Sequence, residues 1–191
     1  MVQAEFNCCG ATLTHAGLAQ EGRDAALANL AAWDAAGRPR VLTLCASCQA
    51  GLEEYTHLEG LDKGLAQAFV GSLTPLSVLL GNCTWIVEPT APERIHFHHP
   101  CHDHGGADTR LMVSILGDTL QAGQRGNCCG MGGVMQLARP DMAQAVSESC
   151  WQAMGATAGD LVLTGCSGCV LTLRATAPKG VTVAHWLDAV L

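Results

Sequence analysis

The chain has 191 residues, 49% of them hydrophobic and 14% charged, and a net charge of −7. That apolar fraction is enough for a packed interior and excludes wholesale disorder; the length fits one domain, or two small halves sharing a core. Ten Lys plus Arg against seventeen Asp plus Glu leave no basic footprint for nucleic acid or anionic lipid.

In chain order, residues 16–36 read as a helix with Leu18, Ala25, Leu27, Leu30 and Trp33 on its apolar side, stopped by Gly37. Residues 40–44 read as a strand entering Cys45-Ala-Ser-Cys48, with a short helix at 49–55. A connector is expected at 82–92, where Pro89 and Pro92 bracket Thr90 and Ala91. Residues 94–99 read as a strand ending at Pro100-Cys101. A helix at 140–154 has Pro140 in its first turn, a strand at 161–164 enters Cys166-Ser-Gly-Cys169, and a helix follows at 170–175. Strands alternating with helices predict an α/β fold with mainly parallel sheets flanked by helices.

No apolar run reaches the ~18–20 residues of a membrane span. The opening MVQAEFNCCG lacks the basic and apolar regions of a secretory signal, so the expected setting is a reducing cytoplasm. There, eleven cysteines read as thiolates for a metal or cluster rather than as a disulfide framework, because the count is odd and two pairs are adjacent.

The cysteines repeat. Cys8-Cys9-Gly10 precedes Cys45-x-x-Cys48, and Cys128-Cys129-Gly130 precedes Cys166-x-x-Cys169. The step from Cys9 to Cys45 is 36 residues and from Cys129 to Cys166 it is 37, as after a duplication with one insertion. The expected halves are residues 1–88 and 89–191. The first has only seven residues ahead of Cys8, so it is expected to lack the opening strand and helix that the second places before Cys128.

Each Cys-x-x-Cys sits where a strand gives way to a helix, the place where α/β folds assemble sites. Gly10 and Gly130 permit the turn that lets adjacent cysteines serve one centre. The second set offers five sulfurs, Cys101, Cys128, Cys129, Cys166 and Cys169, one more than zinc or a cubane cluster takes. The first offers four, Cys8, Cys9, Cys45 and Cys48, enough for zinc or a plain cluster. Cys83 is the better of the two remaining cysteines to complete the first set, and Cys150 reads as a small buried hydrophobe. His99 and His102 flank Cys101 and are candidate proton donors to a leaving thiolate. His96 and His98 share one face of their strand and read as a packed or hydrogen-bonded pair.

FNCCGAT with CASC, and HHPCHD with NCCGMGG and GCSGC, resemble the cysteine-rich CCG domain family over nearly the whole chain. VAHWLDAVL resembles that family's closing strand and helix. The family includes the disulfide-cleaving subunit of heterodisulfide reductase, the iron–sulfur subunit of glycolate oxidase and a lactate-utilisation protein. The resemblance implies an iron–sulfur subunit of an oxidoreductase complex that transfers electrons or reduces a disulfide. It implies a [4Fe–4S] cluster, cubane or non-cubane, at the second set, and zinc or a second iron–sulfur cluster at the first. It also implies flavin- or ferredoxin-bearing partner subunits, with a small thiol or disulfide, or a 2-hydroxy acid, as the source or target of electrons. Such partners would place the chain in the cytoplasm or peripherally at the inner membrane. The leading cysteine of the family pattern has no counterpart before Cys8. Two other readings stand beside this one. The first is a zinc-stabilised structural or assembly module without redox turnover; the second is dithiol redox at a bare Cys-x-x-Cys.

Overall fold

In the computed structural model, which describes residues 5–87, 92, 94–123 and 126–190, the helix expected at 16–36 is split in two. Gly17, at φ +85°, separates α1 (Ala11–His15) from α2 (Ala19–Ala35). The buried face of α2 also differs from the expected one. It runs through Gly22, Ala26, Asn29, Leu30 and Trp33, whereas Leu18 and Leu27 are exposed. Leu18 caps the helix rather than joining it, and a buried asparagine occupies a place that an apolar count assigns elsewhere.

The chain divides into two compact units, Met1–Leu44 with Cys48–Leu76 and Cys45–Ser47 with Ser77–Leu191. In the first lie β1 (Val41–Thr43), all but the first two residues of α3 (Ala46–Glu53), a 3₁₀ turn at Glu54–Thr56, α4 (Lys63–Ser72) and β2 (Leu73–Pro75). Asp62 caps α4 by accepting from the Leu65 N–H at 2.6 Å. β1 and β2 pair in parallel, from Val41 with Leu73 to Thr43 with Pro75. The core of this unit is aromatic. Phe69 stands edge-on to Trp33 (centroids 5.3 Å apart) and stacks on Tyr55 (5.6 Å).

The next short helix, α5 (Leu76–Leu80), is followed by irregular chain to residue 87. Pro89, Thr90 and Ala91 of the expected connector lie outside the described residues. The second unit continues with β3 (Ile95–His98), α6 (Ala107–Leu116), β4 (Leu120–Ala122), α7 (Met135–Ala138) and α8 (Pro140–Met154). It ends with β5 (Leu161–Thr164), α9 (Ser167–Thr176) and β6 (Thr182–His185), then a 3₁₀ turn, Trp186–Ala189, in place of the expected closing helix. The sheet order is β4-β3-β5-β6 and every pairing is parallel. The fold is therefore α/β with parallel sheets flanked by helices, as expected. The helix at 140–154 and the strand at 161–164 form at those residues. β4 was not legible, because three residues carry no usable alternation.

Both helices after a strand begin one residue after the first cysteine of their Cys-x-x-Cys, earlier than the apolar pattern implies. This puts Cys48 and Cys169 in a first helical turn and leaves Cys45 and Cys166 on the strand side of it. Among the described residues no helix is long and apolar enough to cross a membrane.

Asp160 ties the opposite, N-terminal edge of the four-stranded sheet together. Its carboxylate accepts from the Thr157 N–H at 2.8 Å, lies 3.1 Å from His96 Nε2 and pairs with Arg94 at 3.1 Å. The Thr157 amide, then His96 and Arg94, hold its pKa below the ordinary carboxylate value. The stabilisation this represents is complete above the unfolded pKa, about 4, and is lost as pH falls through the depressed folded value. Asp160→Asn should therefore lower Tm by several degrees at pH 7. Thermal melts across pH should show the gap narrowing below about pH 4. A gap that stays constant down to about pH 2 would assign the effect to packing instead.

Candidate metal centre

Strands β3 and β5 are neighbours, and their C-terminal ends deliver three thiols to one side of the sheet. Cys101 follows β3 by three residues, Cys166 is the N-cap of α9, and Cys169 lies in its first turn. The Cys-Cys-Gly loop supplies the other two. Cys129, Cys166 and Cys169 are buried, Cys128 is half-buried and Cys101 is exposed. No disulfide joins the eleven cysteines, all of which are described.

The second set is brought together as a chain of interacting thiols. Cys128 receives hydrogen bonds from Cys101 and Cys129, and the Gly130 N–H donates to its sulfur at 3.4 Å. These donors push its pKa far down, to about 2. Cys129 moves the other way, to about 12, mainly because it donates to Cys128; contact with Cys169 and the Met131 N–H oppose this. Cys101 and Cys169 are also raised, first by hydrogen bonding to a neighbouring sulfur and then by burial. One thiolate is thus stabilised at the cost of its neighbours, the behaviour of a donor set without a cation at its centre.

Two features fix the loop. Gly130, at φ +87°, packs so closely on α8 that a Cβ there would stand 2.5 Å from the Ala143 carbonyl oxygen. His98 then bridges loop and sheet. Its Nε2 lies 3.0 Å from the Asn127 carbonyl oxygen and its Nδ1 3.2 Å from Thr164 Oγ1. Burial lowers the His98 pKa, so Nε2 carries the one ring proton and donates to Asn127, while Nδ1 accepts from Thr164.

The two candidate proton donors separate. His102 Nδ1 lies 3.5 Å from Cys101 Sγ. Both ring nitrogens of His99 are engaged elsewhere, Nδ1 with Thr109 Oγ1 at 2.8 Å and Nε2 with the Asp103 carbonyl at 3.0 Å. His99 sits in the fold as a strut at the Pro100-Cys101 corner.

The first set is divided between the units. Cys8, Cys9 and Cys48 belong to the first. There the Asn7–Cys9 backbone is held by Asn29, whose Oδ1 accepts from the Asn7 N–H at 2.7 Å and whose Nδ2 donates to the Cys8 carbonyl at 3.1 Å. Asn29 also donates to Tyr55, whose hydroxyl donates to the Cys9 carbonyl at 3.0 Å. Burial, with the charges of Cys9 and Cys8 adding, raises the Tyr55 pKa to about 12. Gly51 on α3 makes room for Cys9, whose sulfur would stand 3.0 Å from a Cβ there. Cys45 belongs to the second unit and packs in the core cluster with Cys129, Cys166 and Cys169. Its sulfur receives the Ser167 N–H at 3.3 Å and lies 3.2 Å from Ser47 Oγ, which in turn receives Cys166 at 3.4 Å.

Cys150 lies in the core beside Trp151, as expected of a small buried hydrophobe, with its thiol pKa pushed up to about 11 by burial. Cys83 is exposed in the stretch after α5. Asn29, Tyr55 and His98 were missed as loop anchors. The one sequence signal for them is a polar residue, Asn29 or His98, on an otherwise buried face.

Among the described residues no three His, Cys, Asp or Glu side chains converge as ligands of a single ion. Tetrahedral zinc gathers four ligands at about 2.3 Å around one point, whereas the second-set thiols are joined pairwise along a chain. An all-sulfur donor set with backbone N–H groups aimed at two of its sulfurs fits an iron–sulfur cluster.

Fold and site together define a thiol-rich α/β domain with a candidate metal centre at the strand ends. The chain belongs to the CCG cysteine-rich domain family, whose model matches residues 1–53 and 95–174. It is 29% identical over 186 residues to a probable glycolate oxidase iron-sulfur subunit of Bacillus subtilis, covering 91% of this chain and 42% of that protein. It is 26% identical over 203 residues to the glycolate oxidase iron-sulfur subunit of Escherichia coli, covering 97% and 48%. Identity to one subunit of the dihydromethanophenazine:CoB–CoM heterodisulfide reductase of Methanosarcina mazei is 28% over 184 residues, covering 88% and 44%. The chain spans less than half the length of these relatives.

Gly130→Ala combines a left-handed backbone with a clash and should destabilise by about 2–4 kcal/mol. Gly133→Ala, also at positive φ but with nothing within 4 Å of its Cβ, should cost only the backbone strain, about 1–2 kcal/mol. Urea unfolding of both variants checks this. Equal losses would mean that α8 moves aside without penalty.

Proposed function

We propose that Cys101, Cys128, Cys129, Cys166 and Cys169 hold a [4Fe–4S] cluster and that the chain is the iron–sulfur part of an oxidoreductase complex, passing electrons or reducing a disulfide. The observation that carries this reading is the linked set of five thiols with one sulfur driven towards the thiolate. Its relatives' names, two iron-sulfur subunits and one component of a heterodisulfide reductase, point the same way. When bound, such a cluster accepts and returns electrons at a potential set by hydrogen bonds to its sulfurs. Gly130 N–H at Cys128 and Met131 N–H at Cys129 are the groups of this chain that would tune it. His102 holds its Nδ1 beside Cys101, the most exposed thiol of the set, and is the candidate to manage a proton there.

Cys8, Cys9, Cys45 and Cys48 form a second candidate site for zinc or another iron–sulfur cluster, organised by the first of two halves, residues 1–88 and 89–191. Partner subunits carrying flavin or ferredoxin clusters would supply or withdraw electrons. A small thiol or disulfide, or electrons from a 2-hydroxy acid, are the matching substrate classes, and the cytoplasm is the matching compartment.

Anaerobic reconstitution should load about four irons at the second set and give a brown protein. Cys128→Ser or Cys169→Ser should remove most of that iron, while Cys150→Ser should leave it in place. A colourless protein that takes up zinc and no iron would overturn the redox reading.

A further inference from the structure

The two Cys-x-x-Cys motifs differ at their third position, Ser47 in the first and Gly168 in the second. Cys45–Ser47 fold with the second unit, although the rest of α3 belongs to the first. There the two motifs exchange donors. The Ala46 N–H donates to the Gly165 carbonyl at 2.9 Å, and the Ser167 N–H donates to Cys45 Sγ at 3.3 Å. Ser47 Oγ stands between the two leading cysteines, 3.2 Å from Cys45 Sγ and 3.4 Å from Cys166 Sγ.

The second motif has no room for a hydroxyl of its own at that position. A Cβ at Gly168 would stand 3.8 Å from Cys166 Sγ but 3.2 Å from Met131 Cγ, closer than ordinary contact. Met131 is held where it is by Thr172, whose hydroxyl donates to its sulfur at 3.2 Å, and its own amide serves Cys129. A side chain at 168 would press on the loop that carries this donor. Ser47 brings a hydroxyl to Cys166 from the other motif instead.

We infer that Ser47 of the first motif is a positioning residue of the second centre, its hydroxyl donating to the metal-bound sulfur of Cys166. The direction of the bond follows from proton count. As thiols, Cys166 donates to Ser47 Oγ and Cys169 donates to Cys166. Cysteines that ligate a metal have given up those protons. The hydroxyl still carries one, so the bond reverses and Ser47 donates to the Cys166 thiolate. Cys45 keeps the Ser167 amide as its own donor. Donation to a ligand sulfur favours the more negative, reduced state of a cluster, so Ser47 raises its potential. The inference rests on the proposed cluster at the second set, and adds to it a residue from outside that set.

The test uses the full chain with Cys8→Ser and Cys48→Ser, two exposed positions, so that the second set alone is loaded. After anaerobic reconstitution with iron and sulfide, a redox titration followed by absorbance and electron paramagnetic resonance reads the potential. Ser47→Ala should move the one-electron reduction equilibrium about tenfold towards the oxidised form, about 59 mV lower in potential, with iron content unchanged. Ser47→Thr, which keeps the hydroxyl, should keep the original potential. Cobalt(II) alone gives a second readout on the same variants. Loss of the donor in Ser47→Ala should move the sulfur-to-cobalt charge-transfer band to longer wavelength, and Ser47→Thr should leave it in place. An unchanged potential in Ser47→Ala would overturn the proposal. So would equal shifts in the alanine and threonine variants, which would trace the effect to packing. A chain that takes up cobalt but no iron fails the cluster reading alone, and the cobalt band then decides whether Ser47 donates. A chain that binds neither metal overturns both.

Discussion

Thiols held within hydrogen-bonding range cannot all ionise without a cation among them, and the second unit is built around that constraint. Cys128 takes the charge, and Cys101, Cys129 and Cys169 are pushed the opposite way. Repulsion would separate them if they hung on mobile chain. Instead they come from three segments fixed by unrelated means: the Pro100 corner after β3, a glycine turn packed on α8, and the first turn of α9. The sheet supplies the convergence, because β3 and β5 are hydrogen-bonded neighbours running the same way. A centre carrying positive charge would relieve the repulsion, which couples metal binding to the order of these loops.

The two Cys-Cys-Gly loops meet one backbone requirement in different ways. In both, a glycine at φ above +80° lets the loop approach a helix backbone, Gly10 on Gly22 of α2 and Gly130 on Ala143 of α8. The loop carbonyls still need donors once buried. In the first unit these come from below, from Asn29 on α2 and Tyr55. In the second the place of Asn29, by the 121-residue offset of the helices, is taken by Cys150, and the donor is His98 from the adjoining strand. The first unit has no such strand among its described residues, and its anchors are those a helix and a turn can provide.

Much of this was legible in the sequence because it rests on local signals. Pro140 at a helix start and an apolar strand at 161–164 fixed their elements closely, and the cysteine motifs fall at the strand ends and loop that the structure builds. What the sequence obscured depends on neighbours distant in the chain. Leu18 and Leu27 look like core residues by periodicity, yet the face that packs is set by Gly22 and Asn29, chosen for the loop they hold. His99 and His102 flank Cys101 alike, and only the fold shows that Thr109 and Asp103 engage both nitrogens of the first. Cys45 also packs with Cys166 through Ser47 and the Ser167 amide, contacts between residues more than a hundred positions apart that spacing does not reveal.

Differences between the two units come in matched pairs, each residue fitted to the neighbour it touches. Gly165 goes with Asp108: the glycine exists where a carboxylate from α6 presses on the strand end, burial raises the pKa of that carboxyl, and Ser77 and Trp186 stand beside it. Leu44 takes the same place where no such helix lies among the described residues, and its side chain is 50% exposed. His98 goes with Asn127, and Asn29 goes with Cys8. A mismatch, such as a leucine under Asp108 or a buried carbonyl without a donor, would cost more than about 1 kcal/mol. The motifs the two units share, Asn-Cys-Cys-Gly and Leu-Thr-x-Cys, are those that carry the cysteines. The two loops therefore carry their cysteines in the same short motifs but are anchored by different side chains, Asn29 and Tyr55 in one and His98 in the other.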